Sequence, residues 1–400
     1  MTIIGGTYRG IDELSSSEVI YGSGLRALEV QMELDTHNEV TYYSCCKTFE
    51  RFARLRYARY GNRIQWNFVE SPDVFFYYTH PFNLSGIIPR PDYFLGDCKQ
   101  ILTAEDDNIL VFGMVEAKFR VSANRVVYDP QTSVSPVLFS ATGSRTERLV
   151  YVLNIHEAKV LSGCDNVEDQ ARFFFEHEHC ESVVIKCGSN GAFVFEGSVD
   201  AKYMVPVYKT SSVHCIGSGD VFSATFAYFW FAGNAAAESA RKASMAVACY
   251  ADIGLLTNLS QRLESFDYQS LQPSHHGKIY LAGPFFSFSQ RWLVNEFYKA
   301  LQHEDVDVFS PLHHVGLGGV ETVQADLTGL DTASVLLAIA DGLDAGTMFE
   351  VGYAVKRGIP VVVFNTCESE GNLQMLEGTG CEFEKDFATA VYKTIWHAIN

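Results

Sequence analysis

Three acids near the end of the chain, Asp326, Asp344 and Glu350, carry the most specific chemistry in this sequence. Two or more carboxylates in one pocket are the usual equipment for breaking a glycosidic bond, one as nucleophile and one as proton donor. Between Asp326 and Asp344, residues Val335 to Ala340 are a short apolar run of the kind that forms a buried parallel strand. The spacing predicts all three acids at the ends of strand-to-helix turns. That is the carboxyl edge of a parallel sheet, where open α/β folds bind ligands.

A local alternative exists for Glu350. Thr347 and Glu350 fit a capping box, with the Thr hydroxyl on the N3 amide and the Glu reaching back. Such a box would hold Glu350 at a helix N-terminus, which favours its ionised form. A cap alone needs neither Asp344 in the same turn nor Asp326 before the preceding helix. It also does not need Lys278 to Pro284 as a first strand ending in a tight turn.

The segment from about Gly277 to the C-terminus resembles the nucleoside 2-deoxyribosyltransferases. Three stretches carry the resemblance: the apolar strand and turn from Ile279 through Tyr280 to Gly283 and Pro284, the stretch from Asp326 to Gly329, and the run from Asp344 to Ala354. The resemblance implies a small, doubly wound parallel-sheet α/β domain with a nucleoside at the sheet edge. It implies Glu350 as nucleophile on the anomeric carbon, with Asp326 and Asp344 holding the base and handling its proton. It places Tyr280, Gly283, Phe285, Gly346 and Thr347 against the substrate and asks for no cofactor.

A carboxylate nucleophile splits one hard displacement into two easier ones. A second acid that stays protonated gives its proton to the departing base. Water as acceptor gives hydrolysis and a second nucleobase gives transfer. Both stay open, because the outcome depends on how well the closed site excludes water. Backbone amides at Gly346 and Thr347 are placed to receive a 5′-phosphate, so nucleotides stay open as substrates. Phe285, Phe286 and Phe288 are expected to stack a base, with packing of a flap as the alternative. Arg291, at the start of the next helix, reads as a surface residue, with contact to a phosphate as the alternative. His313 and His314 are placed at a strand end facing the same pocket as Asp326, or in a plain loop.

The first two thirds carry a different signature. Val150 to Gly163 reads strand, acidic turn, helix, with Asn154 and Glu157 in the turn. Val183 to Phe195 reads as a hairpin around Gly188 and Gly191. Then come Gly217, Ser218, Gly219 and Asp220, followed by small and apolar residues through Ala251 that predict a buried helix pair. A glycine turn at a helix start cradles an anion with its amides. Asp220 is placed to take a proton from a hydroxyl attacking phosphorus.

In this order the elements resemble the ribokinase-like (PfkB) carbohydrate and nucleoside kinases, over roughly residues 1–260. The resemblance implies an αβα sandwich with a lid drawn from residues near 40–85 and a mid-sheet strand at Val126 to Asp129. Gly217, Ser218 and Gly219 would form the anion hole, Asp220 the base, and Gly188 part of the nucleotide site. Asn154 and Glu157 would organise Mg²⁺ through water, with ATP as the phosphoryl donor. The substrate end departs from the family. Its Asp-Thr before the anion hole is His214 and Cys215 here, and the Asn of its early glycine-rich sugar site is Arg26. Arg26 and Arg9 are read as recognising an extra phosphate or carboxylate by bidentate contacts, the alternative being a domain that binds a nucleotide as a sensor and no longer phosphorylates.

The frame agrees with a multidomain α/β enzyme. Four hundred residues suggest two or three domains, and a hydrophobic share of 47% can fill a core in each. The expected divisions are a kinase-like domain at 1–260, a linker at 261–276 containing His275 and His276 as a solvated pair, and a transferase-like domain at 277–400. No apolar run approaches the roughly 20 residues of a membrane helix. Ten scattered cysteines argue for reduced thiols and a cytoplasmic location. A formal charge of −18 disfavours nucleic acid as a partner. Phe173 to Phe175 read as core, and Glu105 to Asn108 as a solvated loop.

The reading is an enzyme acting on the N-glycosidic bond of a small nucleoside or nucleotide, coupled to a kinase-like domain that phosphorylates or senses. Its alternative is a nucleotide-regulated effector that depletes NAD or nucleotides. Both family resemblances imply a homo-oligomer.

Overall fold

Unbroken apolar runs such as Val150 to Leu153 and Val183 to Ile185 have no polar face, so they are stable only where both faces are covered. In the computed structural model they lie in a nine-stranded sheet. The structure describes residues 1–12, 17–83, 85–94, 100–131, 136–271, 277–304, 306–316 and 322–399. The chain divides into two compact units, Met1–Tyr208 with Cys215–Tyr268, and Lys209–His214 with Gln269–Asn400.

In the first unit the strand order is Lys202–Val205, Ala192–Glu196, Ser182–Lys186, Arg145–Asn154, Ala117–Asp129, Gln100–Phe112, Thr2–Ile4, Val40–Ser44 and Ile64–Phe68. The first two pairings are antiparallel and the rest parallel. Helices Ser23–Leu34, Ser218–Phe231 and Ala236–Ile253 pack with one face, around Leu110, Phe112, Val150 and Val152. Ala158, Ala171 and Phe174, from helices Ile155–Ser162 and Val167–Glu178, pack with Tyr151, Leu153 and Ile185 on the other. The result is the αβα sandwich, with the expected buried helix pair after Asp220 and Val126 to Asp129 at mid-sheet.

Gln100–Phe112 and Ala117–Asp129 pair in parallel, Gln100 with Ala117 through Phe112 with Asp129. The four residues between them reach at most about 15 Å, far short of the roughly 40 Å of a straight 13-residue strand. Both strands must therefore bend, so that the chain coils back without a crossover helix. Burial follows the bend: the first part of each strand is largely exposed or half-buried on alternate residues, and the last four of each strand are buried.

Two expectations are corrected here. Glu105 to Asn108 are not a loop but lie within this bent strand. Asp106 accepts from Thr2 Oγ1 at 2.7 Å, Asp107 from Asn124 at 2.7 Å and Asn108 from Arg125 at 2.8 Å. The lid is not drawn from 40–85 as one piece. Val40–Ser44 and Ile64–Phe68 close the main sheet because their register pairs them with Thr2–Ile4 and with each other. The separate four-stranded sheet has the order Ser17–Tyr21, Tyr8–Asp12, Phe75–Tyr78, Gly86–Ile88.

The second unit has a five-stranded, all-parallel sheet in the order Val308–Phe309, Ile279–Ala282, Val335–Ile339, Val361–Phe364, Glu382–Glu384. In chain order this is 2-1-3-4-5, a doubly wound arrangement whose direction reverses between the first and third strands. Residues 261–264 of the expected linker belong to helix Leu259–Glu264, and Ser270–Leu271 is a short strand. His275 and His276 lie outside the described residues.

Candidate functional site

In the second unit, the reversal of strand order places Ile279–Ala282 beside Val335–Ile339. Tyr280, fully buried in the first of these, reaches across to Glu350, its hydroxyl donating to Oε1 at 2.6 Å. Glu350 lies on helix Ala345–Arg357, which follows the third strand. Asp326 and Asp344 are close enough for their charges to act on it.

The helix starts earlier than the sequence suggests. Asp344 is its N-cap, accepting from the Thr347 amide at 2.9 Å and the Thr347 hydroxyl at 3.2 Å. Thr347 is therefore at N3 and Glu350 a turn deeper, so the expected Thr347–Glu350 capping box does not form. Asp is as good a cap as Thr and comes first in the chain. The Thr347 amide, expected to meet a phosphate, is already used by Asp344.

Glu350 is also not held ionised by a helix terminus. Burial pushes its carboxyl up to about 7, the Tyr280 hydrogen bond opposes this, and the charges of Asp326 and Asp344 add to it. Asp326 is placed inside helix Val323–Asp331, in its first turn, rather than ahead of it. Burial raises its carboxyl as well, and its Oδ1 is buried with no partner among the described residues. A buried acceptor left open in this way is suited to a ligand donor.

The surroundings are mostly aromatic. Phe309 stacks on Tyr280 with centroids 5.4 Å apart, and His314 stacks on Phe309 at 5.2 Å. His313 is held by Ser310 at 3.0 Å and Asn295 at 2.7 Å and lies against the Tyr298 ring. Phe285 stacks on Phe286, while Phe286 and Phe288 are exposed. Arg291 donates to the carbonyls of Phe285 and Phe286, both at 3.1 Å, and so fixes that turn. A Cβ on Gly283 would press on Ile339 and Val294 at 3.1 Å, so the strand end is closely packed.

In the first unit, Gly217 is in the left-handed region at φ 86°, turning the chain into helix Ser218–Phe231. Asp220 lies in the first turn, buried, between two donors: Arg26 Nη1 on Oδ2 and Gln131 Nε2 on Oδ1. Arg26 is buried too, and a Cβ on Gly217 would overlap its guanidinium. Arg26 is thus held by a carboxylate of its own chain, Asp220, and does not stand free for a bidentate contact with a ligand. Arg9 likewise pairs with Glu18 at 2.5 Å on the neighbouring strand of the four-stranded sheet.

Residues that motif reading passed over complete this centre. Lys186 Nζ donates to Asp129 Oδ2 at 2.8 Å and Ser223 Oγ to the same oxygen at 2.6 Å. Asp129 is fully buried, and Lys186 stands 3.6 Å from where a Cβ on Gly219 would be. The signal in the sequence was a lysine at the end of an otherwise apolar strand, two residues before Gly188. The space over Gly219 is otherwise open within 4 Å, which fits a phosphate on the turn.

Mg²⁺ fits less well. Asn154 and Glu157 close a reciprocal capping box, at 2.8 Å and 2.9 Å, and so hold each other. Burial, with the charge of Asp129, pushes Glu157 up to about 7. No group of three or more metal-binding side chains occurs among the described residues. These residues do not form a direct divalent-cation site. No helix among the described residues is long and apolar enough to cross a membrane.

The comparisons with known proteins divide the chain in the same way. The family model described as pfkB family carbohydrate kinase matches residues 126–252, and that described as nucleoside 2-deoxyribosyltransferase matches residues 279–393. No curated protein matches. Among similar solved structures is a ribokinase from Thermotoga maritima, 16% identical, covering 66% of this chain and 98% of its own, at a TM-score of 0.46. A ribokinase from Giardia lamblia is 12% identical with the same coverage and a TM-score of 0.48. A fructokinase from Vibrio cholerae O395, solved with fructose, ADP and calcium, is 14% identical over 66% and 98% of the two chains, at 0.47. The chain thus joins a segment that matches the pfkB carbohydrate kinase family model to one that matches the nucleoside 2-deoxyribosyltransferase model.

Proposed function

We propose that the second unit cleaves or exchanges the N-glycosidic bond of a (deoxy)nucleoside or nucleotide. The observation that carries this is the Tyr280 hydroxyl on Glu350 Oε1 at the point where the strand order reverses. In its ionised form Glu350 attacks the anomeric carbon, forming a C–O bond as the C–N bond breaks. Asp326, whose carboxyl burial raises, gives its proton to the departing base. Water or a second base then displaces Glu350. Asp344 fixes the helix that carries the nucleophile and adds negative charge beside the developing oxocarbenium ion.

The first unit handles a nucleoside polyphosphate such as ATP, with its terminal phosphate on the amides of the Gly217–Gly219 turn and Lys186 nearby. Mg²⁺ arrives with the polyphosphate rather than on a protein cage.

The test is incubation of the protein with pooled nucleosides, nucleotides and NAD, with released bases identified by mass spectrometry. Base release is expected from the wild type and loss of at least about 10³-fold in Glu350→Ala, the scale of removing a covalent nucleophile. Undiminished release by Glu350→Ala would sink the assignment. The identity of the released base separates deoxynucleoside exchange from depletion of NAD.

A further inference from the structure

An acceptor hydroxyl attacking phosphorus needs a carboxylate beside it that is free to take its proton. Both oxygens of Asp220 already accept a hydrogen bond, one from Arg26 and one from Gln131. The guanidinium is not a passing surface contact. Its carbon stacks 4.3 Å over the Tyr21 ring, and the Arg56 guanidinium lies 4.6 Å from the same ring. It also lies against Gly217, where only a residue without a Cβ leaves room for it. The Tyr21 hydroxyl is fixed by Glu29 at 2.7 Å. Ring, turn and carboxylate therefore hold Arg26 on three sides, and Arg cannot give up its proton to let Asp220 act. One group in this arrangement is left over: Arg26 Nε is buried without a partner among the described residues. A donor of that kind, beside a turn of amides and Lys186, suits an anion.

We infer that the first unit binds a nucleoside polyphosphate at the Gly217–Gly219 turn and transfers no phosphoryl group from it, because Arg26 stands where an acceptor hydroxyl would meet Asp220. The inference rests on the proposed polyphosphate site and turns it from a kinase centre into a binding centre. Arg26 neutralises the base and offers its spare N–H to the anion, so the departure from the family at position 26 changes what the site does.

The experiment uses the full chain with ATP and Mg²⁺. Binding is measured by calorimetry, and slow transfer to water by release of inorganic phosphate, so that no acceptor need be known. Four variants accompany the wild type: Gly219→Asp, Asp220→Asn, Arg26→Asn and the double variant Arg26→Asn/Asp220→Asn. The expected result is one-to-one ATP binding, weakened more than tenfold by Gly219→Asp. Phosphate release by the wild type should lie within twofold of Asp220→Asn. Arg26→Asn should release phosphate at least tenfold faster, and the gain should vanish in the double variant.

Wild-type release tenfold above Asp220→Asn overturns the inference and leaves the polyphosphate site standing. Absence of ATP binding overturns both. An Arg26→Asn protein that melts cooperatively, binds ATP and gains nothing also overturns it. If that variant does not fold, the comparison of wild type with Asp220→Asn decides. Base release by the second unit is read separately through Glu350→Ala.

Discussion

The Tyr280 hydroxyl donates to Glu350 Oε1 at 2.6 Å, and this bond stabilises the charged form of a carboxyl that burial otherwise keeps protonated. Glu350 must be ionised to attack. With its carboxyl up at about 7, ionisation of Glu350 should give kcat/KM for base release a limb that rises with pH through that value. In Tyr280→Phe the stabilising bond is gone, so the ionisation moves to higher pH and the rising limb moves with it. A hydrogen bond to a charged group contributes about 1.5 kcal/mol, which corresponds to about a tenfold loss at neutral pH. Rate profiles of the two proteins against pH check this. A limb that stays in place would separate the Tyr280 bond from the ionisation.

Asp344 combines a structural task with a chemical one, and the two can be separated. Asn caps a helix as well as Asp, whereas Ala loses the cap at a cost of about 1 kcal/mol. Asp344→Ala is therefore expected to lower the melting temperature of the second unit, and Asp344→Asn to leave it unchanged. If the charge acts in the reaction, Asp344→Asn should still lose at least tenfold in kcat. Calorimetric melting set beside turnover distinguishes the cases, and full activity in Asp344→Asn would reduce this residue to a cap.

Much of this was legible in the residues because apolar runs and glycine turns act locally. Val335 to Ile339, Gly217 to Asp220 and the hairpin after Ser182 each form what their composition implies. What was not legible depends on distant partners. The Thr347–Glu350 box is a sound local pattern, displaced because Asp344 captures the Thr347 amide first. Glu105 to Asn108 look solvated, yet register with Ser122 to Arg125 places them in a strand. Arg26 reads as a ligand contact alone, and its pairing with Asp220, 194 residues away along the chain, arises only when helix Ser23–Leu34 is packed against helix Ser218–Phe231. No periodicity carries information of that kind.

The Arg26–Asp220 pair also has a stability signature. Removing one member of a buried ion pair leaves an uncompensated charge and costs about 3–5 kcal/mol, whereas replacing both is often close to neutral. Arg26→Ala and Asp220→Ala are each expected to lower the unfolding free energy of the first unit by that amount. The Arg26→Ala/Asp220→Ala double variant should recover most of the loss. A double-mutant cycle by urea unfolding measures the coupling, and additive losses would show that the two charges do not act as a pair.

A last relationship concerns how the acids are kept in place. Asp331 ends the helix that carries Asp326, and its Oδ1 accepts from the Tyr353 hydroxyl at 2.9 Å and pairs with Arg357 Nε at 3.1 Å. Tyr353 and Arg357 follow Glu350 on its own helix. This exposed clasp ties the two acid-bearing helices together without touching the reacting groups. Small displacements of catalytic groups are costly, an ångström being worth up to about a hundredfold. Tyr353→Phe is therefore expected to leave the melting temperature and the pH limb where they are and to lower kcat about three- to tenfold, with KM little changed. Arg357→Ala should act in the same direction more weakly. A change confined to KM would place Tyr353 in substrate binding, and an unchanged kcat would show that the helices keep their spacing without the clasp.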